Sequence, residues 1–152
     1  NLMARQQPVA SDLRALVTAL RISADLERMG DLAHHIAKLA RMRYPNNAVP
    51  SELQVTIKNM SDASTRIMEK MITVLQYRDL DRAKEIEQDD DEMDILHRKL
   101  FAALLDENWS HGIETAIDMT LIGRYYERFA DHAVSIARRV YYLVMGEYYT
   151  KE

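Results

Sequence analysis

The chain has 152 residues, of which 47% are hydrophobic and 29% charged, a composition typical of a globular domain with a real core. It contains no cysteine, which excludes disulfide bonds, thiolate metal sites and a cysteine nucleophile. No apolar run approaches the roughly 20 residues that a membrane span needs, and a net charge of −4 is unlike the basic footprint of a nucleic-acid binder. With only four glycines and three prolines, long helices are expected.

The first predicted helix begins near residues 8–12, where proline is tolerated in a first turn and serine or aspartate can cap the helix. It ends before Pro45. Apolar residues recur along it at roughly helical spacing and form an apolar stripe: Leu16, Leu20, Ile22, Leu26, Ala33, Ile36, Ala37 and Ala40. The segment PNNAVP, residues 45–50, is predicted to be a linker, because proline and asparagine break helices there.

The second predicted helix begins at Ser51 and runs to about Gln76. Ser51 followed by Gln54 matches a capping box, in which the two side chains satisfy the first free N–H groups of a helix. The predicted buried stripe consists of Ile57, Met60, Ser64, Ile67, Met68, Met71 and Leu75. Since the break at residues 77–81 is short, the third helix is expected to fold back antiparallel.

The third predicted helix carries what we call the acidic segment, residues 87–94 (EQDDDEMD). This segment holds six acids and no base, so the rest of the chain has a net charge of +2. Such a focus of negative charge suits cations or a basic partner. The helix ends near residues 108–112, and a fourth helix runs from Ile113 to about Met145, with Gly146 as its stop.

The chain contains a repeat with an offset of 100 residues. Residues 26–37 (LERMGDLAHHIA) align without a gap to residues 126–137 (YERFADHAVSIA), so the first helix matches the fourth. The repeat unit is then three helices long and begins near Ser51, and roughly 50 residues are expected to precede Asn1 if the repeat is complete. The apolar stripe left without neighbours would seek another surface, such as a second copy of the chain.

Acidic pairs four residues apart recur along the predicted helices. They are Glu27 with Asp31, Asp90 with Asp94, and Glu127 with Asp131. Like charges at this spacing destabilise a helix by a few tenths of a kcal/mol, a cost that a bound cation removes. Antiparallel third and fourth helices would bring the second and third pairs face to face, where a hard divalent or trivalent ion could take oxygens from both.

Two other interpretations of these acids stay open at this point. They could lie on solvated faces of a purely structural bundle, neutralised by Arg28, Arg98 and Arg128. Alternatively, His34 and His97, each three residues after an Asp, resemble the ligand pattern of di-metal carboxylate oxidases and metal-storage bundles. That pattern has Glu rather than Asp, and the fourth helix has Val134 where His34 would recur, which disfavours the oxidase.

The chain resembles the PhoU family of phosphate-signalling proteins. The resemblance rests on residues 6–14 (QQPVASDLR) and 25–33 (DLERMGDLA), followed by 90–94 (DDEMD), which fits that family's middle helix. Residues 126–133 (YERFADHA) and 140–146 (VYYLVMG) are similar to its last helix. The resemblance extends over essentially the whole chain, and the order and spacing of these segments are specific.

The resemblance implies an all-α fold of two similar three-helix bundles, here shortened at the N-terminal side. Residues 1–44 would form a partial first bundle, residues 51–146 a complete second bundle, and residues 147–152 a C-terminal tail. Paired Glu/Asp-x-x-x-Asp motifs would hold iron, manganese, zinc or magnesium at the surface. The metal ligands would then be Glu127, Asp131, Asp90 and Asp94, followed by Glu27 and Asp31, which lack the other half of their site.

The resemblance also implies a function, which is regulatory rather than enzymatic. Members of the family act as negative regulators of the phosphate-starvation response. They are thought to link the ATPase of the phosphate ABC importer to the phosphate-sensing histidine kinase. The expected location is the cytoplasm, peripheral to the inner membrane through these partners, and the expected oligomer is a homodimer.

Overall fold

A computed structural model of the chain describes residues 6–149, with side chains for residues 10–149. Its regular structure consists of α1 (Gln6–Met42), a 3-10 turn (Ser51–Leu53), α2 (Gln54–Tyr77), α3 (Leu80–Leu104) and α4 (Gly112–Met145). No strand occurs between residues 6 and 149, and the predicted all-α fold is confirmed. Residues 1–5 of the predicted partial bundle and 150–152 of the predicted tail lie outside the described residues, and the division into two bundles stays a prediction.

Local chemistry sets the ends of three helices. Arg78 ends α2 in the left-handed conformation, with φ 53°, and its N–H donates back to the last turn of the helix. Asp79 caps α3, because its Oδ1 accepts from the N–H groups of Asp81 at 3.1 Å and Arg82 at 3.0 Å. Gly146, with φ 78°, ends α4 as predicted. The tight connection between α2 and α3 folds α3 back against α2, also as predicted.

The predicted capping box at Ser51 is wrong. Ser51 lies inside the 3-10 turn, its hydroxyl donates to Glu52 at 3.3 Å, and α2 begins at Gln54 without a side-chain cap. The turn is closed by a 3.0 Å bond from the N–H of Leu53 to the carbonyl of Pro50. It places Leu53, which is only 3% exposed, in the core, so burial of an apolar side chain outweighs the local capping preference here.

The helix α4 is the centre of the fold, because it packs against α1, α2 and α3. Its buried apolar residues are Met119, Ile122, Phe129, Ala130, Ala133, Val134, Ile136, Ala137 and Val140. The stripe predicted for α2 is confirmed, since Met60, Ile67 and Met71 are fully buried and its other members are partly buried. In α3, Leu96 and Leu100 are buried.

The apolar stripe of α1 is mostly exposed, as expected for a stripe left without neighbouring helices. Leu16 is 57% exposed and Leu20 63% exposed, and Ala33, Ala37 and Ala40 are exposed as well. The physical reason is that, among the described helices, α1 packs mainly against α4. The face of α1 that does become buried is a different one, formed by Thr18, Met29, Leu32 and Leu39.

An ion pair fixes the C-terminal end of α1 to the N-terminal end of α4. Arg43 donates from Nε to Asp118 Oδ2 at 2.7 Å and from Nη2 to Asp118 Oδ1 at 3.1 Å, and it also pairs with Glu114. Asp118 is only 6% exposed, so this forked pairing compensates a buried charge. Together with the contacts along the helices, it sets α1 antiparallel to α4. Within residues 6–149, no helix carries an apolar stretch long enough to cross a bilayer.

Candidate metal centre

The helices α3 and α4 approach each other closely at Gly123. A Cβ built on Gly123 would lie 2.6 Å from Leu100 Cδ2 and 3.2 Å from His97 Cδ2. The absence of a side chain therefore lets α3 sit directly on α4. This close contact brings the acidic side of α3 toward the second half of α4.

Asp90, Asp94, Glu127 and Asp131 form one electrostatic group, which we call the acidic centre. Burial, together with repulsion from Asp94 and Asp131, raises the pKa of Asp90 to about 6. Burial also raises the pKa of Asp131, with repulsion from Glu127 and Asp94 adding to the effect. The carboxylates of the two helices are thus close enough to repel one another, as the sequence predicts, and their negative charge is not fully compensated.

Two buried polar atoms at the acidic centre lack a hydrogen-bond partner within the described residues. They are Oδ1 of Asp90 and Nε2 of His97. The nearest carboxylate to His97 is that of Glu127, whose Oε2 lies 3.8 Å away. A buried polar group left unsatisfied costs about 1–3 kcal/mol. A cation would satisfy the carboxylate oxygen and remove the repulsion as well, so the donor set fits a hard metal ion with an imidazole alongside.

The acidic centre is not preassembled around a single point. Within residues 10–149, no three His, Asp or Glu side chains are arranged to hold a metal ion as they stand. Glu127 is turned toward Arg124, whose Nη1 lies 2.6 Å from its Oε2. The Arg124 side chain is 57% exposed, and exposed pairs of this kind contribute little free energy, so Glu127 can exchange this partner for a metal ion at small cost.

Much of the acidic segment is already neutralised by neighbouring bases. Its ion pairs join Glu87 to Arg138 at 2.7 Å, Asp89 to Lys70 at 2.7 Å, and Glu92 to Arg66 at 2.5 Å. Glu87 and Asp89 are buried, so these pairs hold α3 against α4 and α2. Fewer acidic side chains of the segment are therefore available to bind a cation than its composition indicates.

Glu27 and Asp31 lie on α1, outside the acidic centre. Both are exposed, and within residues 10–149 the only ion pair of Asp31 is a loose one with Arg28, at 3.8 Å between Nη1 and Oδ2. Asp31 lines a small pocket between α1 and α4, where α4 presents Tyr125, Arg128 and His132 and no carboxylate. The structure does not group these two predicted ligands with the other four, and the incompleteness of their site stays a prediction.

Sequence reasoning missed a polar cluster that joins α1 to α4. Asp25 accepts three hydrogen bonds from α4: from His132 Nδ1 at 2.8 Å, from the Ser135 hydroxyl at 3.1 Å and from Arg139 Nε at 3.3 Å. Its position matches Tyr125 in the repeat, so the alignment gives no hint of it. The usable signal was a departure from the repeat. The Asp of α1 and the His and Ser of α4 have no identical counterparts in the other copy.

Comparison with known proteins places this arrangement in a family. The PhoU domain matches residues 1–40 and 57–140. The chain belongs to the PhoU family. It is 46% identical to the phosphate-specific transport system accessory protein PhoU homolog 2 of Mycobacterium tuberculosis, across 97% of this chain and 69% of that protein. It is 45% identical to PhoU homolog 1 of Mycobacterium leprae, across 97% of this chain and 66% of that protein.

Solved PhoU structures have the same fold. The crystal structure of PhoU from Pseudomonas aeruginosa superimposes with a TM-score of 0.77 at 27% identity, over 96% of this chain and 70% of that one. PhoU from Streptococcus pneumoniae, described as a phosphate transport system regulatory protein, gives a TM-score of 0.75 at 27% identity, over 93% of this chain and 67% of that one. PhoU proteins are regulatory accessory proteins, so the prediction of a non-enzymatic chain is confirmed and the oxidase alternative is set aside.

Proposed function

We propose that this chain is a negative regulator of the phosphate-starvation response. It would act as a metal-binding adaptor between the ATPase of the phosphate ABC importer and a phosphate-sensing histidine kinase. Membership of the PhoU family supports an accessory, regulatory role in phosphate transport, and its mycobacterial relatives are named accessory proteins of that system. The link to the two named partners, the cytoplasmic location beside the inner membrane and the homodimer are the finer parts of the proposal.

One observation carries the metal part: carboxylates from α3 and α4 converge, with a buried, unsatisfied oxygen on Asp90. The proposed ligands are Asp90 and Asp94 from α3 with Glu127 and Asp131 from α4. Oxygen ligands suit iron, manganese, zinc or magnesium, and the bound ion would supply positive charge and not redox chemistry. By neutralising the acidic centre, the ion would fix the relative position of two helices and so define a docking surface.

Measuring the metal content of the chain tests the metal-binding part of this proposal. The untagged chain would be analysed by plasma mass spectrometry beside the variant Glu127→Gln/Asp131→Asn. A matched control, Asp62→Asn/Glu69→Gln, removes the same charge from exposed positions of α2. We expect the chain and the control to retain iron, manganese or zinc, and the first variant to lose it. Equal metal content in all three would leave the acids as a solvated face of a structural bundle.

Measuring partner binding tests the adaptor part of this proposal. The importer ATPase and the kinase would each be immobilised and exposed to the chain with and without metal. We expect both partners to capture the chain, with weaker capture after chelation and in the Glu127→Gln/Asp131→Asn variant. Capture of neither partner would contradict the adaptor role even if metal is bound.

A further inference from the structure

A small polar pocket lies where α1 meets α4, apart from the acidic centre. Arg28 and His35 reach it from α1, and Arg128, His132 and Tyr125 reach it from α4. Its volume is about 120 Å³. The pocket is therefore suited to a small polar ion rather than to a nucleotide or a peptide.

The arginines of this pocket are not engaged in strong ion pairs. Arg128 makes no side-chain hydrogen bond or ion pair with any described residue, and Arg28 has only the loose 3.8 Å contact to Asp31. Elsewhere in the chain, by contrast, Arg43 and Arg138 each hold a buried carboxylate at 2.7 Å. The two pocket arginines consequently keep their forked donors available for another partner.

The two histidines of the pocket are held in position by other residues. His132 is tied through Nδ1 to Asp25 at 2.8 Å, which leaves Nε2 as its one nitrogen for a ligand. The ring of His35 stacks on Tyr125, with centroids 5.4 Å apart and planes 23° apart. Both imidazoles thus line the pocket in orientations fixed by neighbouring side chains.

The repeat explains why two arginines meet here. Arg28 and Arg128 occupy the same position of the two copies, 100 residues apart. The stacking of His35 on Tyr125 is, by the same offset, the counterpart of the hydrogen bond between Ser135 and Asp25. The antiparallel packing of α1 on α4 therefore relates the copies by an approximate two-fold axis, and the pocket lies between equivalent positions on either side of it.

We propose that this pocket binds a tetrahedral oxyanion of the phosphate class, either inorganic phosphate or the phosphate of a monoester. Guanidinium groups from two helices can each fork onto phosphate oxygens, and the His35 imidazole can add one N–H donor. One carboxylate, that of Asp31, lines the pocket and opposes an anion, so the bound anion competes with it for Arg28. The site shares no residue with the acidic centre and does not depend on the adaptor role.

Calorimetric titration of the chain with inorganic phosphate at constant ionic strength tests this proposal. We expect saturable binding that weakens at least about tenfold in Arg128→Gln, since a hydrogen bond to a charged group is lost. The control Arg41→Gln removes an exposed arginine at the C-terminal end of α1 that does not line the pocket, and this variant should bind like the chain itself. In Asp31→Asn, binding should tighten, because the competing carboxylate is gone.

A parallel titration with glycerol phosphate separates the two sources of the anion. Binding of both ligands, or of one alone, supports the site and identifies its occupant. The absence of saturable binding by either ligand would overturn the proposal, as would equal loss in the Arg128→Gln and Arg41→Gln variants. Metal content should be unchanged in Arg128→Gln, so failure of this site and failure of the proposed metal centre are distinguishable.

Discussion

The helices α1 and α4 carry two copies of one sequence pattern in two different environments. Ala133 and Ala137 of α4 are 0% and 2% exposed, whereas the identical residues Ala33 and Ala37 of α1 are exposed. The difference comes from the neighbours, since α4 packs against three helices and α1 mainly against one. A repeated apolar stripe can therefore be buried in either helix, and it is buried only where neighbouring helices cover it.

The acidic pairs of the two helices show the same contrast. Glu127 and Asp131 are opposed by α3, and burial with charge repulsion raises the pKa of Asp131. Glu27 and Asp31 occupy the same positions in α1, yet they are exposed, and the part of α4 across the pocket from Asp31 presents Arg128 and His132 rather than acids. The proposed metal site thus depends both on the spacing of the motif and on a second helix that brings further carboxylates.

The largest expected effect on stability distinguishes two isoleucines at equivalent positions of the repeat. Ile136 is fully buried and Ile36 is only partly buried. We expect Ile136→Ala to lower the free energy of unfolding by about 3–4 kcal/mol, because it leaves a cavity among three helices, and Ile36→Ala to lower it by only about 1 kcal/mol. Urea denaturation followed by circular dichroism measures both. Equal losses would mean that the two helices are not packed differently.

Replacing either of two glycines by alanine should change the free energy of unfolding by a smaller amount, and the two changes should have opposite signs. Gly123→Ala would place a Cβ 2.6 Å from Leu100 Cδ2, and we expect a loss of about 1–3 kcal/mol from overpacking. Gly30, on α1, has nothing within 4 Å of a built Cβ, so Gly30→Ala should stabilise the helix by about 0.5–1 kcal/mol. The same denaturation experiment decides, and a loss in both variants would show that α1 is closely covered at Gly30.

The acidic centre makes stability depend on pH in the metal-free chain. The folded-state pKa of Asp90 is raised to about 6 from 3.8, so between these values the folded state holds a proton that the unfolded state has lost. Stability should therefore fall as pH rises from about 4 to about 6, and Asp90→Asn should remove that fall. Because Asp90 is partly exposed, the difference at pH 7 should be on the order of 1 kcal/mol. A fall of the same size in the variant would argue against this group.

The smallest expected change in stability comes from the exposed leucines of α1. Leu16→Gln/Leu20→Gln should alter the free energy of unfolding by no more than about 0.5 kcal/mol, because both side chains already face solvent. If the proposed homodimer uses this apolar face, the same variant should be monomeric where the chain is dimeric. Sedimentation equilibrium measures that difference. An unchanged dimer would place the interface elsewhere.

The sequence was most informative where chemistry is local. Gly146 marks the end of α4, the residues around Pro45 mark the linker, and the convergence of Asp90 with Asp131 follows from helical spacing and one short turn. It was least informative where a distant partner decides. The exposure of Leu16 depends on which helices pack against α1, and the 3-10 turn at Ser51 depends on burial of Leu53.

The contacts between α1 and α4 could not be predicted from the sequence for the same reason. Asp25 and His132 are 107 residues apart, and nothing in the segments that contain them indicates that the two side chains pair. The Glu87–Arg138 pair likewise turns an acid of the acidic segment into part of the packing. Both pairings require knowledge of which helices are neighbours and in what register.

The most direct test of the central claim compares the two acidic pairs within one chain. Free Mn²⁺ would be measured by electron paramagnetic resonance during titration of the chain, of Glu127→Gln/Asp131→Asn and of Glu27→Gln/Asp31→Asn. Both variants remove the same charges from equivalent positions, and only the first pair faces a second acidic helix. We predict that the first variant loses tight Mn²⁺ binding and that the second retains it. Equal binding by both variants would contradict the claim that facing acidic helices make the metal site.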